Sequence, residues 1–189
     1  DAVLSGSSIV TQPEEVRRKI GFLTSELKLE DFFTPDYLYD FFSELYGIPT
    51  NRRDARKRML FARFGIQEFA QVRVRDLSTG MKQKVSLVIS LVQDPEIIIF
   101  DEPTNGLDIL TAKVVTDFLL DLKEQGKTII ISTHIFSLVE KICDRVGIII
   151  NGRMAACEDL RTLCGDKSLE DRFFEIYEAV NGEDENHDK

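Results

Sequence analysis

The sequence predicts an α/β protein in which a parallel sheet carries an inserted helical lobe. From residue 94 onward, the pattern runs strand, helix, strand, helix, strand, and this alternation is typical of a parallel sheet. Residues 28–92 instead have helical patterns almost throughout and form the lobe. Residues 97–100 are apolar at every position, as expected for a strand that is buried on both faces.

The elements before residue 77 are predicted to be mostly helical. Residues 1–12 are small and polar and indicate a loop or hairpin, Pro13 begins a short helix, and residues 20–23 form a short strand. Thr34 is a candidate N-cap for the next helix, and residues 51–64 form a basic amphipathic helix. The apolar residues at helical spacing in these two helices are Leu38, Phe41, Phe42, Leu45, Met59, Leu60 and Phe64, the last three predicted to face inward.

The elements after residue 77 alternate between helices and strands. Ser78 is a candidate cap for a helix whose inner face is Met81, Val85, Val88 and Val92. Residues 111–125 form a helix that Gly126 ends. The residues of that helix predicted to face inward are Val115, Phe118, Leu119 and Leu122.

The rest of the chain follows the same reasoning. Residues 128–132 form a second buried strand, 135–143 a helix, and 146–150 a strand that leads into a hairpin-type Asn151-Gly152 turn. Residues 168–180 form a last helix, and the acidic residues 181–189 are predicted to fray.

Composition excludes several classes of protein. The net charge of −9 disfavours a nucleic-acid binder. The three cysteines lack metal-ligand spacing and indicate reduced thiols. The apolar runs are far too short to span a membrane, and the N-terminus has no signal-peptide pattern. A role at a membrane would therefore depend on a partner.

The adjacent acids Asp101 and Glu102 follow a predicted buried strand. Ligands bind at this edge of parallel sheets, where the first acid can reach a magnesium ion and the second can orient a water molecule. Hydrolysis of a γ-phosphate needs both functions. An acidic strand end can also carry no chemistry, but Pro103, Thr104 and the Asn-Gly-Leu-Asp turn that follow favour the functional interpretation.

Residues 77–81, Leu-Ser-Thr-Gly-Met, form what we call the glycine turn. Ser78 offers a hydroxyl group, Gly80 allows close approach to the backbone, and the helix that follows directs its positive end outward. The same residues could simply cap a helix. Because Asp101 follows Ser78 by 23 positions, on a strand, the sequence favours an anion site.

The order of these segments resembles the nucleotide-binding domain of ATP-binding cassette (ABC) proteins, which implies a P-loop NTPase-like (RecA-like) sheet with an inserted α-helical subdomain. The glycine turn is similar to the ABC signature, usually Leu-Ser-Gly-Gly-Gln, from which Thr79 and Met81 depart. Such variants resemble those of bacterial exporters of the sodium- or drug-extruding type.

The resemblance implies ATP and Mg²⁺ as cofactors and assigns roles to residues. Glu102 and His134 would be catalytic, with the histidine on the γ-phosphate, and Asp101 would support the metal. The residues implied to bind nucleotide are Ser78, Thr79, Gly80, Met81, Asp108 and Ser25. Asp108 ends the Asn-Gly-Leu-Asp segment that resembles the D-loop, and Ser25, beside Glu26, stands where the Q-loop has glutamine. The alternatives are a surface role for His134 and a helix-capping turn ending at Asp108.

The family's phosphate-binding motif, G-x-x-x-x-G-K-[ST], does not occur in this sequence. Gly126-Lys127-Thr128 has the right ending, but position 121 is Asp121 and a helix precedes rather than follows it. We therefore expect an N-terminal part to be missing, with the resemblance covering residues 13–165. The expected domains are 1–27, a remnant of the N-terminal lobe; 28–92, the helical subdomain; 93–165, the RecA-like core; and 166–189, a C-terminal helix and tail.

The resemblance also implies partners. A second copy would pack head to tail as a homodimer, and a membrane permease subunit would hold the pair peripherally at the cytoplasmic face of the membrane; nucleic acid is not expected. The fragment alone is expected to be inactive. Alternatives are a non-enzymatic, degenerate ABC-type interaction module and a ribosome- or DNA-associated ABC ATPase. The aromatic residues between 32 and 46 are predicted to be mostly core, with a groove for a permease helix as the alternative.

Overall fold

The computed structural model describes residues 1–24 and 29–187. It forms two compact units, Asp1–Ser132 and Thr133–Lys189. The first contains the parallel sheet and the helical lobe, and the second a hairpin with three helices. No helix in the described residues combines the length and apolar character needed to cross a bilayer.

The first unit begins with a small hairpin and a short helix. Strands β1 (Val3–Leu4) and β2 (Ser7–Ser8) pair antiparallel, as one of the two predicted alternatives. Helix α1 (Pro13–Lys19) has Pro at its start, acids in its first turn and basic residues in its last, an order that complements the helix dipole.

The parallel sheet has three strands in the described residues, in the order β3-β4-β5. They are β3 (Ile20–Leu23), β4 (Ile97–Asp101) and β5 (Thr128–Ser132). The central strand β4 is buried almost throughout. Its apolar run therefore lies where the sequence predicts a strand covered on both faces.

Strand β5 differs from its prediction as a buried strand. Its residues alternate between exposed and half-buried, and Ile130 is 53% exposed. An apolar run shows that a strand can be buried, but not how many of its faces the rest of the fold covers. Within the described sheet, β5 is an edge strand.

Residues 29–92 form mostly helices, and the bounds 28–92 of the lobe stay a prediction. The helices are α2 (Pro35–Leu45), α3 (Thr50–Phe64) and α4 (Thr79–Ile89), with two 3₁₀ turns, Ile66–Phe69 and Val74–Asp76, between α3 and α4. Their fully buried side chains include Tyr39, Leu60, Val85 and Val88. Met59, predicted to face inward, is 49% exposed, and Phe61 is buried in the same helix instead.

The prediction that the aromatic stretch is mostly core is wrong. Tyr39 is buried and Phe42 half-buried, whereas the other rings are exposed. We call those exposed rings the aromatic face: Phe32, Phe33, Tyr37, Phe41 and Tyr46. Leu45, at helical spacing with these residues, is exposed as well. Helix α2 packs through Leu38, Tyr39 and Ser43, so the aromatic rings on its other sides lie outside the core.

Helix α5 (Ile109–Glu124) completes the first unit. The four residues predicted to face inward, Val115, Phe118, Leu119 and Leu122, are all buried. Phe118 meets Phe64 of α3 edge to face, with 5.2 Å between ring centroids. This contact ties α5 to the helical lobe.

The second unit contains helix α6 (Phe136–Ile142) and a hairpin. Strand β6 (Arg145–Ile150) pairs antiparallel with β7 (Arg153–Asp159), so it does not extend the parallel sheet as the alternation predicted. Asn151 (φ 50°) and Gly152 (φ 75°) make the predicted turn, with positive φ at both central positions. Because β7 begins only two residues after β6 ends, the backbone hydrogen bonds of β6 are made within the hairpin.

The last helices pack on that hairpin. Helices α7 (Leu160–Cys164) and α8 (Leu169–His187) surround a core of Ile148, Ile150, Leu163 and Leu169. The tail predicted to fray from residue 181 is helical through His187.

Candidate nucleotide site

The acid pair lies at the carboxyl end of the central strand. Asp101 is the last residue of β4 and stands in register with Ser132, the last residue of β5. The Ser132 hydroxyl donates to Asp101 Oδ1, and the Glu102 amide donates to the Ser132 carbonyl oxygen at 2.9 Å. Both acids are half-buried. They therefore occupy the edge of the sheet where ligands bind in this class of fold.

Glu102 begins a tight loop, residues 102–108, which we call the acid loop. The backbone of Glu102 is left-handed, with φ 48°. This conformation costs a non-glycine residue energy and is concentrated at functional sites. The Asn105 amide donates to the Glu102 carbonyl oxygen at 3.0 Å, and Pro103 and Thr104 are buried beneath the turn. The backbone at Glu102 is thus fixed on both sides.

The glycine turn begins helix α4. Ser78 is its N-cap, and the Ser78 Oγ accepts from the Met81 amide at 3.3 Å. That bond leaves the serine hydroxyl hydrogen able to donate. Ser78 and Thr79 are exposed, and Gly80 and Met81 are half-buried. The turn therefore caps the helix and also presents a hydroxyl group and the positive helix end to solvent, as an anion site requires.

The glycine turn contacts the acid loop. A Cβ built on Gly80 would lie 3.6 Å from the Gly106 carbonyl oxygen, and one on Gly106 would lie 3.7 Å from Thr79 Cγ2. Gly106 has φ 70°, so glycine suits that turn. The structure brings together two segments that the sequence analysis singled out separately.

Asp108 ends the acid loop and caps α5. Its carboxylate accepts from the Thr111 hydroxyl at 2.7 Å and from the Thr111 amide at 3.0 Å. These hydrogen bonds, the hydroxyl bond foremost, hold the pKa of Asp108 below its usual value. The capping interpretation of the turn is therefore observed, and the D-loop role stays a prediction.

His134 and Ser25 are the remaining predicted site residues. His134 is an exposed residue of the second unit, in the segment that leads into α6. Ser25 and its neighbour Glu26 lie outside the described residues. Their predicted contacts with nucleotide stay predictions.

Ser132 is a site residue that the sequence analysis missed. The signal for it was available, because Ser132 directly follows the apolar run 129–131, two positions before His134. Its importance depends on register with Asp101, which a single strand pattern does not give.

The donor groups fit a magnesium ion that is shared with a nucleotide. Among the described residues, no group of three or more His, Cys, Asp or Glu side chains could hold a metal. Magnesium in phosphoryl-transfer sites is bound by one or two carboxylates together with substrate phosphates and water. One orientated carboxylate at Asp101 matches that pattern, in which substrate phosphates and water supply the remaining ligands.

Comparison with known sequences places the chain in a family. A sequence model described as "ABC transporter" matches residues 2–105. The chain is 38% identical to ABC transporter ATP-binding protein NatA of Bacillus subtilis over 169 residues, 89% of this chain and 69% of that protein. It is 36% identical over 118 residues to a fluoroquinolones export ATP-binding protein of Mycobacterium tuberculosis, 62% of this chain and 38% of that protein.

The chain spans 57% of an ABC transporter ATP-binding protein of Methanocaldococcus jannaschii, to which it is 35% identical over 79% of its own residues. Among solved structures, an ATP binding subunit of an ABC transporter superposes with a TM-score of 0.86 at 27% identity, covering 92% of this chain and 75% of that one. A dimeric ATP-binding cassette bound to ADP and Pi shares the fold, with a TM-score of 0.73 at 22% identity. The fold is that of P-loop NTPases, and the chain belongs to the ABC transporter family.

Proposed function

We propose that this chain forms the hydrolytic part of an ABC exporter's ATP-binding subunit, which powers substrate movement through a partner permease. The acid pair at the rim of the sheet carries the proposal, because Glu102 begins the loop that also contacts the glycine turn. The export proteins among the relatives support outward transport. The match to the family supports ATP hydrolysis as the energy source.

Each residue of the site has a proposed task. Asp101 supports Mg²⁺, which supplies neutralising charge when bound, and Glu102 orients the attacking water. His134 contacts the γ-phosphate, and Asp108 lies across the interface between two copies. Ser25 takes the place of the Q-loop glutamine.

The glycine turn acts on the nucleotide of a second copy in this proposal. Ser78 and Thr79 are exposed, and the start of α4 is positive. Gly80 and Met81 complete the turn, so that backbone amides and one hydroxyl face a phosphate. These 189 residues contain no G-x-x-x-x-G-K-[ST] motif. A head-to-tail homodimer places the turn of one copy over the ATP of the other.

The aromatic face is the proposed docking surface for the permease at the cytoplasmic side of the membrane. It adjoins a cavity of about 230 Å³ lined by Phe33, Tyr37 and Phe41. A second cavity of about 350 Å³ is lined by Phe22, Phe42, Tyr46 and Ile89, among others. Contiguous exposed rings beside an apolar groove suit an amphipathic helix.

The test is a Glu102→Gln substitution in the full gene product that carries this chain. The variant should bind ATP with unchanged affinity and lose about 100-fold or more of its turnover, because the amide cannot act as a base or hold the water as a carboxylate does. Glu96→Gln is the matched control, since Glu96 is an exposed acid at the opposite end of the same strand. Retained turnover in the Glu102 variant would refute the catalytic assignment.

A non-enzymatic role is the second candidate for the 189 residues by themselves, because they contain no phosphate-binding motif. An ATPase assay on the isolated chain, beside the full gene product, separates the two. We expect no turnover from the isolated chain and magnesium-dependent turnover from the full product. If neither hydrolyses ATP, the non-enzymatic candidate is favoured.

A further inference from the structure

We propose that Ser132 is a positioning residue for the acid pair: its hydroxyl group orients the Asp101 carboxylate while its carbonyl oxygen fixes the Glu102 backbone. This inference rests on the proposed ATPase function. It assigns to the end of β5 a role that the residue's exposed position alone does not suggest.

The two contacts arise from one feature of the sheet. Strands β4 and β5 run parallel, and Asp101 is in register with Ser132. Side chain therefore meets side chain at the rim, through the Ser132 hydroxyl and Asp101 Oδ1. One position further along β4, the Glu102 amide donates to the Ser132 carbonyl oxygen at 2.9 Å. A single residue thus touches both acids.

The side-chain bond has a plain chemical consequence. A hydroxyl group that donates to a carboxylate makes a short, charge-assisted hydrogen bond, and that bond selects one rotation of the carboxylate plane. Outer partners of this kind orient metal-binding carboxylates, and their loss typically costs about 10- to 100-fold in metal affinity or activity.

The backbone bond has a separate effect. Glu102 holds a left-handed conformation with φ 48°, which the surrounding structure must stabilise. The bond to the Ser132 carbonyl oxygen fixes the amide at the start of that turn, whatever side chain residue 132 carries. Substitution of the side chain therefore tests the Asp101 contact alone.

Ser132 is exposed, so its loss opens no cavity. Ser132→Ala removes the donor and keeps the backbone bond, and Ser132→Thr keeps a donor. Thr128→Val is the matched control, because Thr128 is an exposed hydroxyl residue at the opposite end of the same strand. All three variants should unfold at the temperature of the unsubstituted protein.

The experiment uses the full gene product with a non-hydrolysable ATP analogue and Mn²⁺ as a paramagnetic probe for the magnesium position. Free Mn²⁺ is measured by electron paramagnetic resonance, and the affinity for the analogue without metal is measured separately. Ser132→Ala should weaken Mn²⁺ binding about tenfold or more with unchanged metal-free affinity for the analogue. Ser132→Thr should restore Mn²⁺ binding, and Thr128→Val should leave it unchanged.

Two outcomes overturn the inference, and they are distinguishable. If the unsubstituted protein binds Mn²⁺ with the analogue and hydrolyses ATP, but Ser132→Ala stays within about twofold of it, the positioning role is refuted while the proposed function stands. If the unsubstituted protein shows neither analogue-dependent Mn²⁺ binding nor turnover, the proposed function and this inference fail together.

Discussion

Gly80 lies beside Gly106. A methyl group added to Gly80 would lie 3.6 Å from the Gly106 carbonyl oxygen, which is an ordinary van der Waals contact distance. The φ angle of Gly80 is also outside the positive, left-handed region. The backbone conformation and the space at this position therefore both accept a side chain, and alanine there should fold. If glycine is nevertheless required, the requirement comes from function rather than from folding.

Gly80→Ala should therefore separate folding from function. We expect an unfolding midpoint close to that of the unsubstituted protein and an ATP turnover that is lower by about tenfold or more. The methyl group would crowd a turn that packs on Gly106 and Leu107 and that presents its backbone amides to a phosphate in the proposed function. Turnover and thermal unfolding of the full gene product measure the two effects. Gly182→Ala, whose added methyl group meets no atom of the described residues within 4 Å, should leave turnover unchanged. Normal turnover in Gly80→Ala would show that no ligand needs the turn to be open.

Gly21→Ala should destabilise the first unit strongly. A methyl group on Gly21 would lie 2.5 Å from the Ser90 carbonyl oxygen and 2.7 Å from Pro95 Cγ, so β3 would have to move away from the end of the helical lobe. Overpacking of this kind costs about 1–3 kcal/mol in the free energy of unfolding, which urea denaturation measures. Gly80→Ala is the control for the substitution itself. A Gly21→Ala chain as stable as that control would contradict the close approach seen here.

Sequence patterns predicted the parallel pairing of β4 with β5, which follow one another in the alternation of strands and helices. They failed for β6, which had two available partners, the parallel sheet and the next strand in the chain. The apolar runs of β4 and β5 fit a parallel sheet, and both lie in one. The run in β6 is as apolar as that in β5, but β6 pairs within a hairpin. The Asn151-Gly152 turn predicts this hairpin locally, whereas the alternation of elements predicts a further parallel strand.

The features of the candidate site also fall into those that the sequence predicts and those that it does not. The position of Asp101 and Glu102 at a strand end follows from chain order alone, and so does the capping role of Ser78. The contacts of Ser132 with the acids depend on register between strands, and the contact of Gly80 with Gly106 depends on how a helix and a loop pack. Such tertiary relationships leave no periodic signal in one sequence. The sequence does not distinguish the aromatic face from a core, because an apolar ring is equally suited to a core and to an exposed docking surface.

Asp94 should contribute to the free energy of unfolding of the first unit, and this contribution should be lost at acidic pH. Its carboxylate accepts from Lys127 Nζ at 2.9 Å and lies 3.1 Å from Arg56 Nη2. Burial raises the pKa of Asp94, but the hydrogen bond from Lys127 and the charges of Arg56, Lys127 and Arg52 outweigh it and hold the pKa below its usual value. A lowered pKa in the folded state stabilises the protein above the unfolded pKa, about 4, and that contribution is lost as the pH falls through the folded value.

The comparison that isolates this effect is Asp94→Asn, because Asp94 has φ 56° and asparagine tolerates the left-handed region. At pH 7 the variant should be less stable by about 1 kcal/mol or less, since the carboxylate is partly exposed and solvent screens the pair. The difference should shrink between about pH 5 and pH 2, as the aspartate protonates. Urea denaturation at several pH values measures it. A difference that is constant across this range would exclude the ion pairs as its source.

Two buried threonines that bracket Asp108 should respond oppositely to valine. Thr104 is 8% exposed and its hydroxyl group finds no hydrogen-bond partner in the described part of the chain, whereas Thr111 is 7% exposed and its hydroxyl group donates to Asp108 Oδ2 at 2.7 Å. Thr104→Val removes an unsatisfied polar group and should raise the free energy of unfolding by about 1 kcal/mol. Thr111→Val breaks a bond and should lower it by about as much. Because both changes keep a β-branched side chain, urea denaturation compares the hydroxyl groups directly, and a loss of stability in Thr104→Val would mean that its hydroxyl group is bonded.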